Sequence, residues 1–305
     1  MTTPRRTPLL HCPAPAKVNL FLHVTGRRSD GYHLLETVFQ LIDLFDWLDF
    51  EPRDDGQIVA SSGDWPMEQD LTVRAARLLR QTAGASDRAD FGVTIRVDKQ
   101  IPVGGGLGGG SSDAATTLLA LNHLWQLHWP VQRLAELSVA LGADVPVFVR
   151  GHNAYALGIG EELQPISLPA RHYVVVQPPV EVPTAVVFAD PNLTRNTKPL
   201  TLAGFAREQS AAAARLPGHN DLQKPVLQRF PAVADALSVL LEAAATLGVD
   251  PSAVRMSGSG ACVFAATDSS SIAAAIAEVV SGAGVGRVHR CASLQRHPMI
   301  GAVAQ

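Results

Sequence analysis

Six of the seven residues from Gly104 to Gly110 are glycine, and this run constrains the fold more than any other segment of the chain. Residues 93–98, just before it, alternate apolar and polar side chains, as a half-buried strand does. Residues 114–125, just after it, carry apolar side chains at the spacing of one helix face. The sequence therefore predicts a strand, a glycine loop and a helix in succession.

The end of this loop is suited to holding an anion. A helix start could be capped there by Ser111, Ser112 or Asp113. The first amides of a helix lack partners, and the helix dipole adds partial positive charge, so phosphate binds well at such a place. A flexible linker is the alternative, but linkers rarely lead straight into a capped apolar helix. We therefore predict a phosphate-binding loop.

Three familiar phosphate loops do not match this segment. The glycine spacing formally fits the dinucleotide fingerprint, but residues 124–129, where an acid for the ribose should follow, contain none. A Walker loop needs a lysine before its serine, whereas Ser111 follows Gly110 directly. Neither of the protein-kinase motifs, His-Arg-Asp or Asp-Phe-Gly, follows the glycine loop in the sequence. The loop is therefore of another kind.

The composition is that of a globular protein large enough to be an enzyme. The 305 residues are 47% hydrophobic, enough for one large or two medium domains. A net charge of −3 gives no basic field for nucleic acid. Three cysteines without Cys-x-x-Cys spacing indicate reduced thiols, and no apolar stretch reaches the length of a membrane span. We expect a cytoplasmic protein, a monomer or weak homodimer, with no nucleic-acid or membrane partner.

Zinc and serine-hydrolase sites have little support. His123 and His128 are five positions apart instead of four, and no Cys/His cluster appears. Neither Ser112 nor Ser259 lies in a Gly-x-Ser-x-Gly sequence.

Lys17 is the first candidate catalytic residue. The chain has twenty-one arginines but only four lysines, so each lysine is a candidate for work that suits a compact ammonium. Residues 16–24 alternate strictly, which places Lys17, Asn19, Phe21 and His23 on one face of a strand. That face is either a solvated outer surface or part of an active site, and the spacing alone leaves both open.

Asp144 is the second candidate. It lies in a turn between a predicted helix at 131–141 and a strand-like apolar run at 145–149, so it is a poor candidate for a solvated surface charge. Beyond residue 168 the sequence predicts a strand near 173–176, helices within 233–247, a glycine turn at 256–260 that leads into a strand, and a loosely held final dozen residues.

Three motifs together resemble those of the galactokinase, homoserine kinase, mevalonate kinase and phosphomevalonate kinase (GHMP) superfamily: residues 15–20 (PAKVNL), 102–112 (PVGGGLGGGSS) and 258–261 (GSGA). The resemblance implies an α+β protein of two domains, with a ribosomal S5 domain 2-like ATP-binding domain at 1–168 and an α/β-sandwich domain at 169–305. The active site would lie in the cleft between them.

Further motifs resemble a member of that superfamily whose substrate is a cytidyl-linked polyol: residues 26–33 (GRRSDGYH), 142–148 (GADVPVF) and 220–222 (NDL). Gln223 departs from this pattern, which has an acid there. The implied reaction is ATP-dependent phosphorylation of the 2-hydroxyl of the polyol, in the methylerythritol phosphate route to isoprenoid precursors.

The resemblance also implies roles for individual residues. Lys17 and Asp144 would be catalytic, with ATP and Mg²⁺ as cofactors and no residue assigned to the metal. The ATP phosphates would be bound by Pro102, Val103, Gly104, Gly105, Gly106, Leu107, Gly108, Gly109, Gly110, Ser111 and Ser112. The substrate would be bound by Asn19, Tyr32, His33, Lys99, Asp144, Thr184 and Phe188.

The chemistry of phosphoryl transfer limits what Asp144 has to do. A carboxylate is a weak base at neutral pH, and a neighbouring ammonium weakens it further. The loose transition state of phosphoryl transfer demands little of the nucleophile. We therefore expect Asp144 to position the hydroxyl and accept its proton late, and Lys17 to fix Asp144 and stabilise the transferring group.

Two other functions stay open on the sequence. One is another GHMP small-molecule kinase, of homoserine or mevalonate type; the other is a non-catalytic nucleotide or metabolite sensor on the same fold. The presence of both Lys17 and Asp144 argues against a sensor, and Tyr32, His33 and Phe188 favour a cytidyl substrate.

Overall fold

The structure is a computed structural model that describes residues 6–60, 66–211 and 215–301. Its first half contains a six-stranded sheet, with strand order β3-β4-β2-β5-β6 and with β1 paired to β2. The strands are β1 (Leu9–Arg27), β2 (His33–Arg53), β3 (Ile58–Ala60), β4 (Gly92–Asp98), β5 (Ala154–Leu157) and β6 (Glu162–Pro165). The helices are α1 (Leu71–Thr82), α2 (Gly109–Leu124), α3 (Val131–Ser138) and α4 (Val145–Arg150), with a 3₁₀ turn at Ala89–Phe91.

The second half contains a four-stranded antiparallel sheet with strand order β10-β7-β9-β8. Its strands are β7 (His172–Gln177), β8 (Val254–Met256), β9 (Val263–Thr267) and β10 (Arg287–Ala292). Its helices are α5 (Thr184–Phe188), α6 (Leu202–Ala211), α7 (Gln223–Arg229), α8 (Pro231–Thr246) and α9 (Ser270–Ala283), with a 3₁₀ turn at Pro251–Ala253. None of the helices in the described ranges has the length and apolar character that a membrane span requires.

Alternation along β7 shows how the two sheets share a core. Tyr173 and Val175 face a buried cluster that also contains Val18 of β1 and Phe264 of β9, so this cluster fills the space between the sheets. Val174 and Val176 face the opposite way, into the cluster beneath α8 and α9. A third cluster packs the outer face of the first sheet against helices α1 to α4.

The strict alternation predicted for residues 16–24 is interrupted. The pairing of β1 with β2 shifts register between Asn19 and Leu22, as at a β-bulge. Phe21 therefore lies in the cluster between the sheets, not beside Lys17 and Asn19 as expected. The expected polar face is also not solvated, because Lys17 is 3% exposed and Asn19 is 2% exposed. The bulge re-aims side chains in a way that a period of two does not predict.

Two local predictions around the site were wrong. Residues 145–149 form the helix α4 instead of a strand; all five are buried, and Pro146 stands in the first turn, where proline is well tolerated. Helix α2 begins at Gly109, earlier than expected, with Gly108 as its N-cap and no side chain capping it. A short run that is buried on every side does not distinguish strand from helix by its apolar pattern.

The final segment is held firmly as far as the structure describes it, which also contradicts the expectation. The amide of Leu294 donates to Leu41 O at 2.8 Å, and His297 is fully buried. Met299 belongs to the cluster of the first half. The chain thus returns to its first sheet after β10, while the division at residue 168 stays a prediction.

His297 provides a pH-dependent test of this packing. Its Nδ1 accepts from the Met299 amide and its Nε2 lies 3.2 Å from Thr116 Oγ1, and burial lowers the pKa of its imidazole to about 3. Below about pH 6.5 the His297 imidazole binds a proton in the unfolded chain but stays neutral in the folded protein. The free energy of unfolding therefore falls as the pH drops toward 3, by up to about 1.4 kcal/mol per pH unit.

We therefore expect His297→Gln, which keeps a donor and an acceptor but does not titrate, to flatten this dependence. Free energies of unfolding measured by urea at several pH values would show it. All other ionisable groups are the same in the two proteins, so their contributions cancel in the difference. Parallel curves for the two proteins between pH 6.5 and 4.5 would contradict the assignment.

Candidate active site

The glycine loop runs between β4 and α2 and packs against the second glycine turn of the chain. Gly106 has φ +72°, and a Cβ on it would lie 2.1 Å from Ser257 O. The amides of Ala261 and Cys262 donate to Gly104 O and Gly105 O, each at 3.2 Å. The conformation and the close approach both require glycine, so the loop is rigidly held and not a linker.

The start of α2 presents free amides to the site. The Ser112 amide donates to Gly108 O at 2.9 Å, which makes it the first intrahelical bond. The amides of Gly109, Gly110 and Ser111 precede that bond and have no helical acceptor. Together with the helix dipole they form the anion cradle that the sequence predicted.

Lys17 reaches this cradle from β1. Its Nζ donates to Asn19 Oδ1 at 2.6 Å and to Gly106 O at 3.0 Å, and its backbone amide donates to Leu107 O at 2.9 Å. Its ammonium also lies 5.3 Å from the centre of the Phe39 ring. A buried ammonium with this many acceptors has one fixed position.

Asp144 meets Lys17 although 127 positions separate them in the sequence. Its Oδ2 lies 3.4 Å from Lys17 Nζ, and its side chain is 33% exposed. Asp144 occupies the N-cap position of α4, yet its carboxylate does not cap that helix. The carboxylate is therefore available to a ligand while Lys17 holds it in place.

The glycine turn at 256–260 closes the other side of the loop. Ser257 Oγ donates to Gly106 O at 3.0 Å and accepts from the Asn19 amide at 3.3 Å. Asn220 Nδ2 donates to Met256 O and Gly258 O at 2.9 and 2.8 Å. The Met256 amide donates to the Oε1 of Gln223 at 2.8 Å, so the residue that departs from the expected acid after residues 220–222 has a structural role here.

The expected substrate-binding residues are only partly together. The rings of His33 and Phe188 stack with centroids 5.0 Å apart, and Thr184 Oγ1 lies 2.8 Å from Ser259 Oγ. Tyr32, next to His33, is 60% exposed. These residues form one end of the site.

Lys99 lies at the other end. Its ammonium bridges the carboxylates of Asp46 and Asp113, the latter at 2.7 Å. In the β1–β2 ladder Asp46 stands opposite Ala14, whereas His33 stands opposite Arg27, so the two residues are at opposite ends of the ladder. The structure thus separates Lys99 from the His33–Phe188 pair, and the expectation that Lys99 binds the substrate stays a prediction.

The Lys99 cluster fixes the entrance of the glycine loop. Asp46 is fully buried, and its Oδ1 accepts from the amides of Gln100 and Ile101 at 2.6 and 2.8 Å. Burial raises the pKa of Asp113, an effect that Lys99 opposes; burial lowers the pKa of Lys99, but the two carboxylates raise it overall. Sequence reasoning missed Asp46, which belongs to no motif, and treated Asp113 only as a cap.

One cavity of about 600 Å³ joins these parts, large enough for small-molecule ligands. Most of the expected site residues line it: Lys17, Asn19, Lys99, Pro102, Val103, Gly104, Gly105, Gly106, Gly108, Gly109, Gly110, Ser111, Asp144, Thr184 and Phe188. Leu107 and Ser112 are instead fully buried, Leu107 in the core between the sheets. His33 stands beside Phe188 just outside the lining, and Tyr32 directly precedes it in the chain.

Comparison with known proteins identifies the family. The chain matches the family described as GHMP kinases N terminal domain over residues 70–152 and the one described as GHMP kinases C terminal over residues 202–286. It is 51% identical to the 4-diphosphocytidyl-2-C-methyl-D-erythritol kinase of Thiobacillus denitrificans over 290 residues, which span 94% of this chain and 96% of that protein. The chain belongs to the 4-diphosphocytidyl-2-C-methyl-D-erythritol kinases.

Other members and solved structures agree. The 4-diphosphocytidyl-2-C-methyl-D-erythritol kinase of Aromatoleum aromaticum is 49% identical and covers 99% of both chains. A crystal structure of 4-(cytidine 5'-diphospho)-2C-methyl-D-erythritol kinase is similar with a TM-score of 0.78 at 36% identity, over 94% of this chain and 99% of that one. The homoserine kinase of Cytophaga hutchinsonii shares the fold, with a TM-score of 0.70 at 17% identity over 97% of this chain and 98% of that one. The predicted fold class and superfamily are confirmed.

The contacts of Lys17 generate a prediction for a conservative change. Lys17→Arg should lower kcat by at least about 100-fold, because the planar guanidinium does not fit the pocket that Asn19, Gly106 and Asp144 form around a compact ammonium. Release of ADP measured at saturating substrates tests this.

The matched control is Lys198→Arg, an exposed lysine in the second half, which should leave kcat unchanged. Equal activity of the two variants would contradict the role of Lys17.

Proposed function

We propose that this chain transfers the γ-phosphoryl group of ATP to the 2-hydroxyl of 4-diphosphocytidyl-2-C-methyl-D-erythritol. The observation that carries the proposal is the Lys17–Asp144 pair, 3.4 Å apart at the mouth of the glycine loop. A phosphate cradle, an ammonium and a partly exposed carboxylate are what a hydroxyl acceptor and a transferring phosphoryl group need.

Asp144 orients the acceptor hydroxyl and takes its proton late in the transfer. Lys17 holds the carboxylate and offsets the charge that spreads over the transferring phosphoryl oxygens. Because Lys17 is itself fixed by Asn19 and Gly106, little reorganisation is needed as that charge moves. Positioning and electrostatics therefore account for the catalysis we propose.

The nucleotide lies with its phosphates on the amides of Gly109, Gly110 and Ser111. We infer that Lys99 belongs to this end, since it stands at the start of α2 with Asp113. The cytidyl group lies at the other end, between Phe188, His33 and Tyr32, where aromatic rings stack on a base. Asn19 and Thr184 lie within the lining of the same cavity.

Magnesium fits the cradle as an ion bound mainly through the nucleotide. No group of three or more His, Cys, Asp or Glu side chains converges for a metal within the described ranges. Mg²⁺ keeps several waters and is commonly held by phosphates plus one or two oxygen ligands. The Ser111 hydroxyl and the Asp144 carboxylate are oxygen ligands at the cradle, and the bound ion would supply charge neutralisation between the phosphates.

The remaining inferences concern partners and compartment. The substrate is a small molecule, and a net charge of −3 supports the absence of a nucleic-acid partner. We propose that the chain acts as a monomer or weak homodimer in the cytoplasm, where its three buried free cysteines would stay reduced. The homoserine or mevalonate kinase and sensor alternatives have no feature of the site in their favour.

Asp144→Asn tests the proposed reaction. The amide keeps the size of the side chain but loses the charge and the acceptor for the proton, so kcat should fall at least about 100-fold with KM for ATP little changed. ADP release with Mg-ATP and a panel of alcohols is the measurement. Wild-type release with homoserine or mevalonate instead of the cytidyl substrate would favour those kinases, and no substrate-dependent release would favour a sensor.

Lys99→Gln tests which end of the site this lysine serves. We expect KM for ATP to rise about tenfold, because the loop entrance loses its bridge between two buried carboxylates, while KM for the cytidyl substrate stays within about threefold. Thermal unfolding checks that the variant folds. A rise in KM for the cytidyl substrate alone would instead indicate that Lys99 binds that substrate and not ATP.

A further inference from the structure

Arg195 joins the two rings at the cytidyl end of the site, although no motif includes it. Its Nε donates to His33 Nε2 at 3.1 Å. One terminal nitrogen donates to Leu193 O at 3.0 Å, and the other donates to Phe188 O and Asp190 O at 3.0 and 2.7 Å. A single guanidinium therefore ties the imidazole of β2 to the backbone that leaves α5.

The direction of the Arg195–His33 bond fixes the chemical state of the imidazole. A guanidinium has donors only, so Nε2 of His33 has to accept. An imidazole that accepts at Nε2 is neutral and carries its proton on Nδ1. The contact thus selects one of the two neutral tautomers and excludes the imidazolium.

The surroundings of His33 act in the same direction. Burial lowers the pKa of this imidazole, and the positive charges of Arg195 and Arg27 lower it further. On the α5 side, the carboxylate of Asp190 is engaged by Arg229 at 3.3 Å and by the Asn192 amide. The charges that act on His33 are thus both positive and keep it neutral.

Arg195 also fixes where the rings stand. Phe188 is the last residue of α5, and its carbonyl accepts from the same guanidinium that holds His33. The two rings stack at 5.0 Å with an interplanar angle of 28°. The planar fork serves a ring nitrogen and three carbonyls at once, which the compact ammonium of a lysine does not match.

We propose that Arg195 is a positioning residue for base recognition: it holds His33 as the neutral Nδ1–H tautomer beside Phe188, so that the imidazole donates a hydrogen bond to an acceptor atom of the pyrimidine. This rests on the proposed function, in which the base is cytosine, whose N3 and O2 are acceptors. Arg195 touches neither the base nor the reacting atoms.

The tautomer is measurable without turnover. Imidazole ¹⁵N shifts of the folded protein, with the His33 signal assigned from a His33→Gln spectrum, should show a bare Nε2 and a protonated Nδ1 at pH 7.5. In Arg195→Met we expect a mixture of tautomers and a higher titration midpoint, since one positive neighbour is gone while Arg27 remains. A protonated Nε2 in the wild type would overturn the proposal whatever the enzyme's substrate is.

Kinetics then separate positioning from catalysis. Arg195→Met should raise KM for the cytidyl substrate about tenfold, and more below pH 6.5 as His33 takes up a proton, with kcat and KM for ATP within about twofold. Arg195→Lys should restore only part of the loss. Equal losses in kcat and in kcat/KM would overturn the positioning role.

The matched control is Arg229→Met, at the end of α7, which removes the guanidinium that contacts Asp190 of the same loop without touching His33. Its KM and its His33 tautomer at pH 7.5 should match the wild type, because Arg195 still donates to His33 Nε2. If it raised KM as much as Arg195→Met does, both arginines would act by holding the loop and not the imidazole, and the proposal would fail. Absence of wild-type activity on the cytidyl substrate would instead refute the proposed function and leave the spectroscopic result standing.

Discussion

The carbonyl oxygen of Gly106 is the point on which the site depends. It accepts from Lys17 Nζ of the first sheet and from Ser257 Oγ of the second glycine turn, each at 3.0 Å. Residue 106 also has a positive φ, and a Cβ there would collide with Ser257 O, so only glycine fits at this position. The phosphate cradle, the ammonium and the closing turn are therefore held in one register by a single peptide group.

Burial of Lys17 leaves little tolerance for a change in the relative positions of these parts. Lys17 is 3% exposed, and an ammonium taken out of water is stable only when acceptors surround it. Asn19, Gly106 and Asp144 supply those acceptors, so displacing the loop would remove one of the three contacts that compensate the buried charge. The same contacts that stabilise the fold thus preorganise the electrostatics of the proposed transfer.

The sequence predicted the parts whose physics is local. The strand before the glycine loop, the loop itself and the helix after it are present because alternation, glycine content and helical spacing are all properties of short segments. The meeting of Lys17 with Asp144 was implied only by the family resemblance, since no pattern relates residues 127 positions apart. The bulge that re-aims Phe21 and the helical state of residues 145–149 depend on tertiary packing, which periodicity does not contain.

The contacts of Lys99 and Arg195 within the site also could not be predicted from sequence patterns. The resemblance grouped Lys99 with the substrate-binding residues, and the structure adds that two buried carboxylates hold it away from the His33–Phe188 pair. Arg195 carries no signal in a chain with twenty-one arginines, and its role emerges only from its contacts with His33 and three carbonyls.

A ternary crystal structure with a non-hydrolysable ATP analogue and the cytidyl substrate tests the proposed transfer most directly. We expect the 2-hydroxyl oxygen to lie within about 3 Å of the Asp144 carboxylate, and the γ-phosphate to lie on the amides at the start of α2, beside Lys17. A hydroxyl bound away from Asp144, or phosphates away from the start of α2, would contradict it.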